Sequence, residues 1–201
     1  MEYRAVQNRS TFILDDLQLP ISHEEAIRIL KEKGFVFLDI DIVKLARSCI
    51  KTSRYRRGAK PSEAPAVVDC SSFIKWLYGE CGIWLPRRSI QQRAYGEHID
   101  LHALMPGDII FTSGHIDYYD HDPTDGVGHV GIYTKNQTVI HAANKKEHVI
   151  ETELARFIKG NAFRGARRYI PQNKEVRTVQ APKEREIEIA NDLRWIILQS
   201  L

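Results

Sequence analysis

Residues 69–82 read DCSSFIKWLYGECG, and this stretch predicts a helix that begins at a cysteine. Its apolar side chains recur at helical spacing and a glycine closes it, namely Phe73, Trp76, Leu77, Cys81 and then Gly82. A thiol in the first turn of a helix lies near free N–H groups and the positive end of the helix dipole, which stabilise a thiolate. Cys70 is therefore a candidate nucleophile, although a lone cysteine before a helix is more often structural.

Short β-rich runs follow this helix and predict a sheet. Turn residues separate the runs, which cover 108–112, 128–134, 138–142, 148–152 and 164–169. Because helices come first and strands second, without alternation, we expect an α+β fold with a central antiparallel sheet rather than a doubly wound fold.

Two histidines lie on neighbouring strands of the predicted sheet. His129 heads the run GHVGIY, and His141 lies in VIHAA at 139–143. The tight turn at 135–137 makes these strands antiparallel neighbours, so both side chains can face one edge of the sheet. Together with Cys70 they fit the pattern of a nucleophile, a base and an orienting group.

Six motifs, in this order, resemble the NlpC/P60 family of papain-like cell-wall cysteine peptidases. They are DCSSF at 69–73, LPRRSIQQ at 85–92, MPGDIIF at 105–111, GHVGIY at 128–133, VIHAA at 139–143 and FRGARRY at 163–169. The resemblance covers about residues 42–170. It implies a nucleophile helix packed on a central antiparallel sheet. It also implies hydrolysis of amide bonds in peptidoglycan stem peptides, often between D-glutamate and a diamino acid.

The resemblance also implies roles for individual residues. Cys70 is expected to be the nucleophile, His129 the general base and acid, and His141 the group that orients His129. Tyr55 matches the tyrosine of the family's Tyr-x-Trp-Gly-Gly motif and is expected to help hold the oxyanion with the Cys70 N–H. The alternative for Tyr55 is a loop aromatic packed on the core. Substrate contacts are expected from Asp69, Ser71, Arg88 and Ser89.

Three departures from the family pattern bear on specificity. Arg57-Gly58-Ala59 stands where the family has Trp-Gly-Gly, and Ser72 replaces a usual glycine, with little effect expected. Arg88 stands where muropeptide-recycling members carry an aspartate that holds a free amine. An arginine there repels an ammonium and can meet a carboxylate, unless it simply faces solvent.

Two polar segments stay open to more than one interpretation. The basic cluster is either a solvated loop lip or a contact for an anionic substrate; it comprises Arg54, Arg56, Arg57 and Lys60. The link 113–128 before His129 is expected to be a polar insertion at the rim of the cleft, whose Tyr118 and Tyr119 could contact glycan or peptide. It has no recognised metal-ligand spacing, so neither a metal nor another cofactor is expected.

Length and charge set broader limits. The 201 residues are enough for one main domain with elaborations. A net charge of +3 is too small to indicate a nucleic-acid partner, and no apolar run is long enough for a membrane span. Three cysteines cannot all pair, which leaves a free thiol.

The chain divides into three predicted segments. Residues 1–38 are expected to be an N-terminal helical extension, with a capping box at 22–25, and residues 39–170 the catalytic domain. Residues 171–201 are expected to be a linker followed by an amphipathic helix at 184–201. The apolar face of that helix would dock on its own domain or contact a partner protein.

Function and location keep alternatives. Besides a peptidoglycan endopeptidase, an acyltransferase or amidase on the same scaffold and a non-catalytic wall-binding module remain open. The N-terminus shows no secretory signal pattern. A peptidoglycan substrate implies a secreted or wall-acting protein by a route that the sequence does not reveal, and a cytoplasmic location is the alternative.

Overall fold

The computed structural model describes residues 3–114 and 126–201. Within these residues the strands are β1 (Arg9–Ile13), β2 (Val36–Leu38), β3 (Arg54–Tyr55), β4 (Val67–Val68), β5 (Glu97–Ile99), β6 (Ile109–Thr112), β7 (His129–Tyr133), β8 (Thr138–Asn144), β9 (His148–Glu153), β10 (Phe163–Arg168) and β11 (Val176–Gln180). The α-helices are α1 (His23–Glu32), α2 (Ile42–Ser48), α3 (Cys70–Glu80), α4 (Ser89–Arg93), α5 (Leu154–Phe157) and α6 (Ala190–Leu198).

The chain divides into two compact units. The central unit comprises Asp41–Leu77 and Leu85–Ile170, and the terminal unit comprises Met1–Ile40, Tyr78–Trp84 and Pro171–Leu201. The two ends of the chain, which the sequence presents as separate extensions, therefore share one unit with the last turn of α3 and the residues after it.

The central unit is built on an antiparallel six-stranded sheet. Its strand order is β5-β10-β6-β7-β8-β9, and a short parallel pair, β3-β4, lies beside it in the same unit. The α+β class with a central antiparallel sheet is confirmed, and each of the five expected runs forms a strand. Strand β5 at one edge was not predicted, because three residues give too short a pattern.

A buried ion pair ties two strands of this sheet together. Arg168 on β10 donates from Nε and Nη2 to the two carboxylate oxygens of Asp108, at 2.8 and 2.7 Å. The same carboxylate accepts the N–H of Met105 at 2.7 Å. Asp108 is 1% exposed, so the aspartate of the MPGD motif and an arginine of the FRGARRY motif serve to hold β6 next to β10.

The terminal unit contains a sheet that the sequence did not indicate. Its order is β1-β11-β2, and β1 pairs with β11 from Arg9↔Gln180 to Ile13↔Val176. Residues 171–183, expected to be a linker, thus contain a central strand. The terminal segments are not purely helical, since strand pairing between residues 170 positions apart leaves no local signal.

The terminal helices agree better with expectation. Ser22 caps α1 by accepting the Glu25 N–H at 3.2 Å. Helix α6 is shorter than expected, and its apolar face is used inside the unit, because Leu193 and Ile197 are fully buried in the core. No helix in the described part of the chain is both long and apolar enough to cross a membrane.

Candidate active site

Cys70 occupies the first position of α3 because a capping box formed by Asp69 and Ser72 starts the helix there. The Ser72 N–H donates to Asp69 Oδ1 at 2.9 Å, and the Asp69 N–H donates to Ser72 Oγ at 2.8 Å. These reciprocal bonds satisfy two backbone donors at the helix start. Ser72 is therefore more than a small replacement for glycine, since its hydroxyl completes the cap next to the thiol.

Arg87 fixes the same carboxylate from the other side. It donates to Asp69 Oδ1 at 3.0 Å, to Ser71 Oγ at 2.9 Å and to the Ala59 carbonyl at 2.7 Å, and the Gly58 N–H donates to Asp69 Oδ2 at 3.0 Å. Burial raises the pKa of Asp69, but the bonds from Arg87 and Ser72 outweigh it and hold that pKa below its ordinary value. Both carboxylate oxygens of Asp69 have partners within the protein, so Asp69 holds the loop before Cys70 in place. A substrate contact at Asp69, which also lines the cleft, stays a prediction.

Tyr55 lies beside Cys70 because of the short parallel pair β3-β4. Tyr55 is opposite Val68, two residues before the cysteine, and its backbone N–H donates to His148 Nδ1 at 3.1 Å. Burial, followed by the nearby Cys70 and Asp69, raises the pKa of the Tyr55 hydroxyl. Its phenol is therefore protonated at neutral pH and can donate a hydrogen bond, as an oxyanion-hole group must.

The two histidines are joined directly. His129 Nε2 lies 2.8 Å from His141 Nδ1, and His141 Nε2 lies 3.0 Å from Thr152 Oγ1. The predicted pairing of their strands holds, since β7 and β8 are antiparallel neighbours. His129 uses Nε2 for this contact, so Nδ1 is the ring nitrogen that does not face His141.

A glycine and a phenylalanine shape the space around the histidines. A Cβ on Gly131 would lie 3.1 Å from His141 Cβ and 3.1 Å from Phe157 Cζ, so only glycine leaves both rings their places. Phe157 packs against both imidazoles, with ring centroids 5.5 Å from His129 and 4.8 Å from His141. This apolar cover limits the access of water to the rings.

Burial favours the uncharged forms of Cys70 and His141. The pKa of His141 is lowered to about 4, first by burial and then by the positive charge of Arg156. The pKa of the Cys70 thiol is raised to about 12 by burial and by the Asp69 carboxylate. Cys70 nevertheless keeps part of its surface accessible and lines the cleft, so a substrate can reach it.

The cleft has two hollows that meet at Cys70. The histidine-side hollow includes His129, His141, Thr152, Arg156 and Lys159. The α4-side hollow includes Asp69, Ser71, Arg88, Ser89 and Val127. Tyr55, Arg57, Cys70 and Gly128 line both. A substrate with its scissile carbonyl at Cys70 can therefore extend in two directions.

The substrate-contact residues expected from the sequence divide into two kinds. Arg88 and Arg57 are exposed in the cleft, whereas Ser71 and Ser89 are 7% and 8% exposed. Ser89 Oγ donates to the Val127 carbonyl at 3.4 Å, and Ser71 is held by Arg87. The two serines therefore help to build the wall of the cleft, and the arginines place positive charge in it. Contact of any of them with a substrate stays a prediction.

Several expectations concern residues at or beyond the edge of the described structure. The acidic and tyrosine-containing part of the 113–128 link, including Tyr118 and Tyr119, lies outside the described residues. Within the described ranges, no group of three or more histidine, cysteine or acidic side chains could hold a metal ion. Of the basic cluster, Arg56 pairs with Glu63, and Arg57 is the member that lines both hollows.

Four residues of the site were not predicted from the sequence, namely Arg87, Gly131, Thr152 and Phe157. Arg87 lay next to the more noticeable Arg88, and Gly131 passed for an ordinary strand residue. Thr152 is a common strand former, and Phe157 lies in a short helix without a clear pattern. For Arg87 a signal could have come from Asp69, since a carboxylate that becomes buried beside a helix start needs a cationic or hydrogen-bonding partner.

Comparison with known structures identifies the fold of the central unit. The chain aligns with the structure of NlpC2 from Trichomonas vaginalis with a TM-score of 0.54 and 26% identity, over 65% of this chain and 46% of that one. The mixed helix and sheet fold of the central unit, with its antiparallel sheet, is therefore that of a papain-like domain.

The model of the NlpC/P60 family matches residues 52–168, and the chain belongs to this family. A probable endopeptidase of Corynebacterium glutamicum is 36% identical over 113 residues, 56% of this chain and 47% of the relative. A gamma-D-glutamyl-L-lysine dipeptidyl-peptidase of Bacillus cereus is 34% identical over 51% of this chain and 29% of its own length. A gamma-DL-glutamyl hydrolase of Bacillus subtilis is 29% identical over 65% of this chain and 29% of its own length. The chain thus spans about half, or less, of the length of these curated relatives.

Proposed function

We propose that the protein is a cysteine peptidase that hydrolyses γ-glutamyl amide bonds in peptidoglycan stem peptides. The observation that carries the proposal is the bonded pair His129–His141 in the same cleft as Cys70, at the start of a capped helix. Membership of the NlpC/P60 family and the name of the Bacillus cereus relative support the substrate.

The reaction follows from the roles of these groups. Cys70 Sγ attacks the amide carbonyl and its proton passes to His129, while the Cys70 N–H and Tyr55 hydroxyl stabilise the oxyanion. His129 then protonates the leaving amine, and the C–N bond breaks to leave a thioester. Water adds to the thioester as His129 accepts its proton, and the acid product leaves as the thiol is restored.

The charges of the cleft favour a substrate with free carboxylates. Arg57, Arg88, Arg156 and Lys159 are exposed along the two hollows. Among the described residues that line the hollows, the acidic side chains are Asp69, which is paired with Arg87, and the exposed Glu147. A γ-linked glutamyl residue keeps its α-carboxylate free, so it suits this positive lining.

Hydrolysis of γ-linked polyglutamate is a second candidate. The positive side chains on both sides of Cys70 favour it, because such a polymer carries one carboxylate per residue in both directions. The name of the Bacillus subtilis relative points to the same bond type. The two candidates share their chemistry and differ in what flanks the scissile bond.

Digestion of purified sacculi and of γ-polyglutamate, followed by mass spectrometry, tests both candidates. The wild type is expected to release fragments that end at a γ-glutamyl bond, and Cys70→Ala is expected to release none while staying folded. Cys49→Ala is the matched control, because Cys49 is a buried free thiol outside the cleft lining. A folded Cys70→Ala protein that cuts at the wild-type rate would overturn the assignment.

Arg88 is proposed to select against free amines. Arg88→Asp is expected to raise KM about fivefold for peptides with a carboxylate near the scissile bond, as an exposed ion pair of about 1 kcal/mol implies. The same change should lower KM for peptides with a free N-terminal amine. Equal KM values for both classes in both proteins would exclude this role.

We infer further that the protein acts on the cell wall. The proposed substrate class supports this, and a secreted form is the simplest way to reach intact sacculi. Fractionation of cells that express a tagged Cys70→Ala protein tests the location. Recovery in the soluble interior alone would favour wall fragments over intact wall as the substrate.

A further inference from the structure

The hydrogen-bonded line of the active site continues beyond the two histidines. His141 contacts His129 through Nδ1 at 2.8 Å and Thr152 Oγ1 through Nε2 at 3.0 Å. The register explains the second contact, because Thr152 is opposite Val139, two residues before His141 on β8. The two side chains are therefore diagonal neighbours on one face of the sheet.

The proton positions along this line follow from what a base must do. To accept the thiol proton, neutral His129 needs an unprotonated Nδ1, so its own proton is on Nε2 and is donated to His141 Nδ1. His141 is neutral at pH 7, since burial and Arg156 lower its pKa to about 4. Its single proton is then on Nε2 and points to Thr152 Oγ1.

The opposite arrangement would stop catalysis. If the Thr152 hydroxyl donated to His141 Nε2, His141 would carry its proton on Nδ1 and donate it to His129 Nε2. His129 would then hold its proton on Nδ1 and could not take one from Cys70. The direction of one hydrogen bond at the end of the line therefore decides whether the base is competent.

We propose that Thr152 is a positioning residue, whose hydroxyl oxygen accepts the Nε2–H of His141 and so keeps both histidines in the tautomer that lets His129 act as base. This inference rests on the proposed function, because it assumes proton transfer from Cys70 to His129. Thr152 touches neither the thiol nor the reacting atoms in this role; it acts through His141.

The groups around His141 are poor replacements for the Thr152 hydroxyl as the acceptor of its Nε2–H. Phe157 packs on the imidazole with centroids 4.8 Å apart, and Ile150 is opposite His141 in the β8-β9 ladder. Arg156 is the charged group that acts on the imidazole from α5, and His129 is the titratable one from β7. Among the described residues, Thr152 Oγ1 is the side-chain acceptor within hydrogen-bond distance of His141 Nε2, and an N–H left without an acceptor in this apolar setting is unfavourable.

The test compares Thr152→Val, which keeps the shape and removes the hydroxyl, with Thr152→Ser, which keeps the hydroxyl. Nitrogen-15 shifts of the imidazoles, measured on the full chain at pH 7, report which ring nitrogen carries the proton. Thr152→Val is expected to convert His141 from the Nε2–H form to a mixture of both forms. It should also lower kcat about five- to tenfold with KM within twofold, as expected for one lost hydrogen bond.

Controls separate positioning from packing. Thr152→Ser should restore the wild-type tautomer and kcat to within about threefold. Thr138→Val, which removes a hydroxyl from the same β8-β9 ladder outside the cleft lining, should change neither. Should the valine variant not fold, Thr152→Ala removes the same hydroxyl and takes its place.

Two outcomes would overturn the proposal. One is an unchanged tautomer and kcat without the hydroxyl, and the other is a serine variant as impaired as the valine variant. The rate at which iodoacetamide alkylates Cys70 across pH 6–10 gives a readout that needs no peptide substrate. If the wild type cut no γ-glutamyl bond while the hydroxyl loss still changed the tautomer and the alkylation profile, the proposed function would fail and the role of Thr152 would stand.

Discussion

A Cβ on Gly131 would meet His141 on the neighbouring strand, and Gly131→Ala tests whether the missing side chain creates room for that imidazole. An added Cβ would lie well inside 3.0 Å from Val139 Cγ1 and 3.1 Å from both His141 Cβ and Phe157 Cζ, whereas ordinary contact begins at 3.4 Å. Val139 is fully buried in a close-packed interior. The added methyl group therefore crowds Val139 most, and it strains the packing of His141 and Phe157 as well.

The expected cost follows from overpacking a close-packed interior. Such insertions destabilise proteins by about 1–3 kcal/mol, which corresponds to a fall in Tm of about 2–12 °C for a chain of this size. A displaced His141 also weakens its 2.8 Å bond to His129. If that costs about 1.4 kcal/mol in the transition state, kcat falls about tenfold.

Thermal unfolding and kcat, measured well below Tm, check both effects. Gly79→Ala is the matched control, because Gly79 lies inside α3 and its added Cβ would meet Val6 Cγ1 at an ordinary 3.4 Å. That control should keep or raise Tm, since alanine favours helices over glycine. A Gly131→Ala protein with the Tm and kcat of the wild type would refute the view that this glycine makes room for His141.

Two further predictions concern buried titratable groups, the Asp108 carboxylate and the His141 imidazole. Arg168→Ala leaves the buried Asp108 carboxylate unpaired and should cost about 3–5 kcal/mol in chemical denaturation, whereas Arg28→Ala, which removes an exposed pair, should cost at most about 1 kcal/mol. Equal costs would contradict the structural role of Asp108. His141 titrates at about 4 when folded and near 6.5 when unfolded, so its neutral form stabilises the fold above pH 6.5 and that stability is lost as the pH falls toward 4. His141→Gln should flatten the dependence of stability on pH in this window, and an unchanged slope would argue against a buried neutral imidazole.

Local patterns were sufficient to predict the centre of the fold. Helical spacing after Cys70 and short alternating runs around His129 and His141 each involve neighbours in sequence, so they survive in any tertiary context that buries one face. The turn at 135–137 then fixed which strands pair. The helix start and the histidine pair were therefore predictable without knowledge of the remaining chain.

Interactions between distant residues were not predictable in the same way. Strands β1 and β11 pair across about 170 residues, and the local sequence of neither strand indicates which strand it pairs with. The family resemblance implied a substrate contact for Asp69, and it gave no sign that this carboxylate also caps a helix. Its capping role depends on Ser72 and Arg87, and only the folded chain brings all three together.

The pKa shifts indicate the protonation states of Cys70 and His141 in the absence of substrate. Burial and Asp69 favour the protonated form of Cys70, and burial and Arg156 favour the neutral form of His141. These surroundings favour a neutral thiol, and in the proposed mechanism the thiol proton passes to His129 as the carbonyl is attacked. In such a site His141 acts through the direction of its hydrogen bond to His129 and not through a charge of its own. A neutral His141 cannot stabilise an imidazolium as a carboxylate would, but it can hold His129 with the correct nitrogen toward the thiol, provided that its own proton has a fixed acceptor.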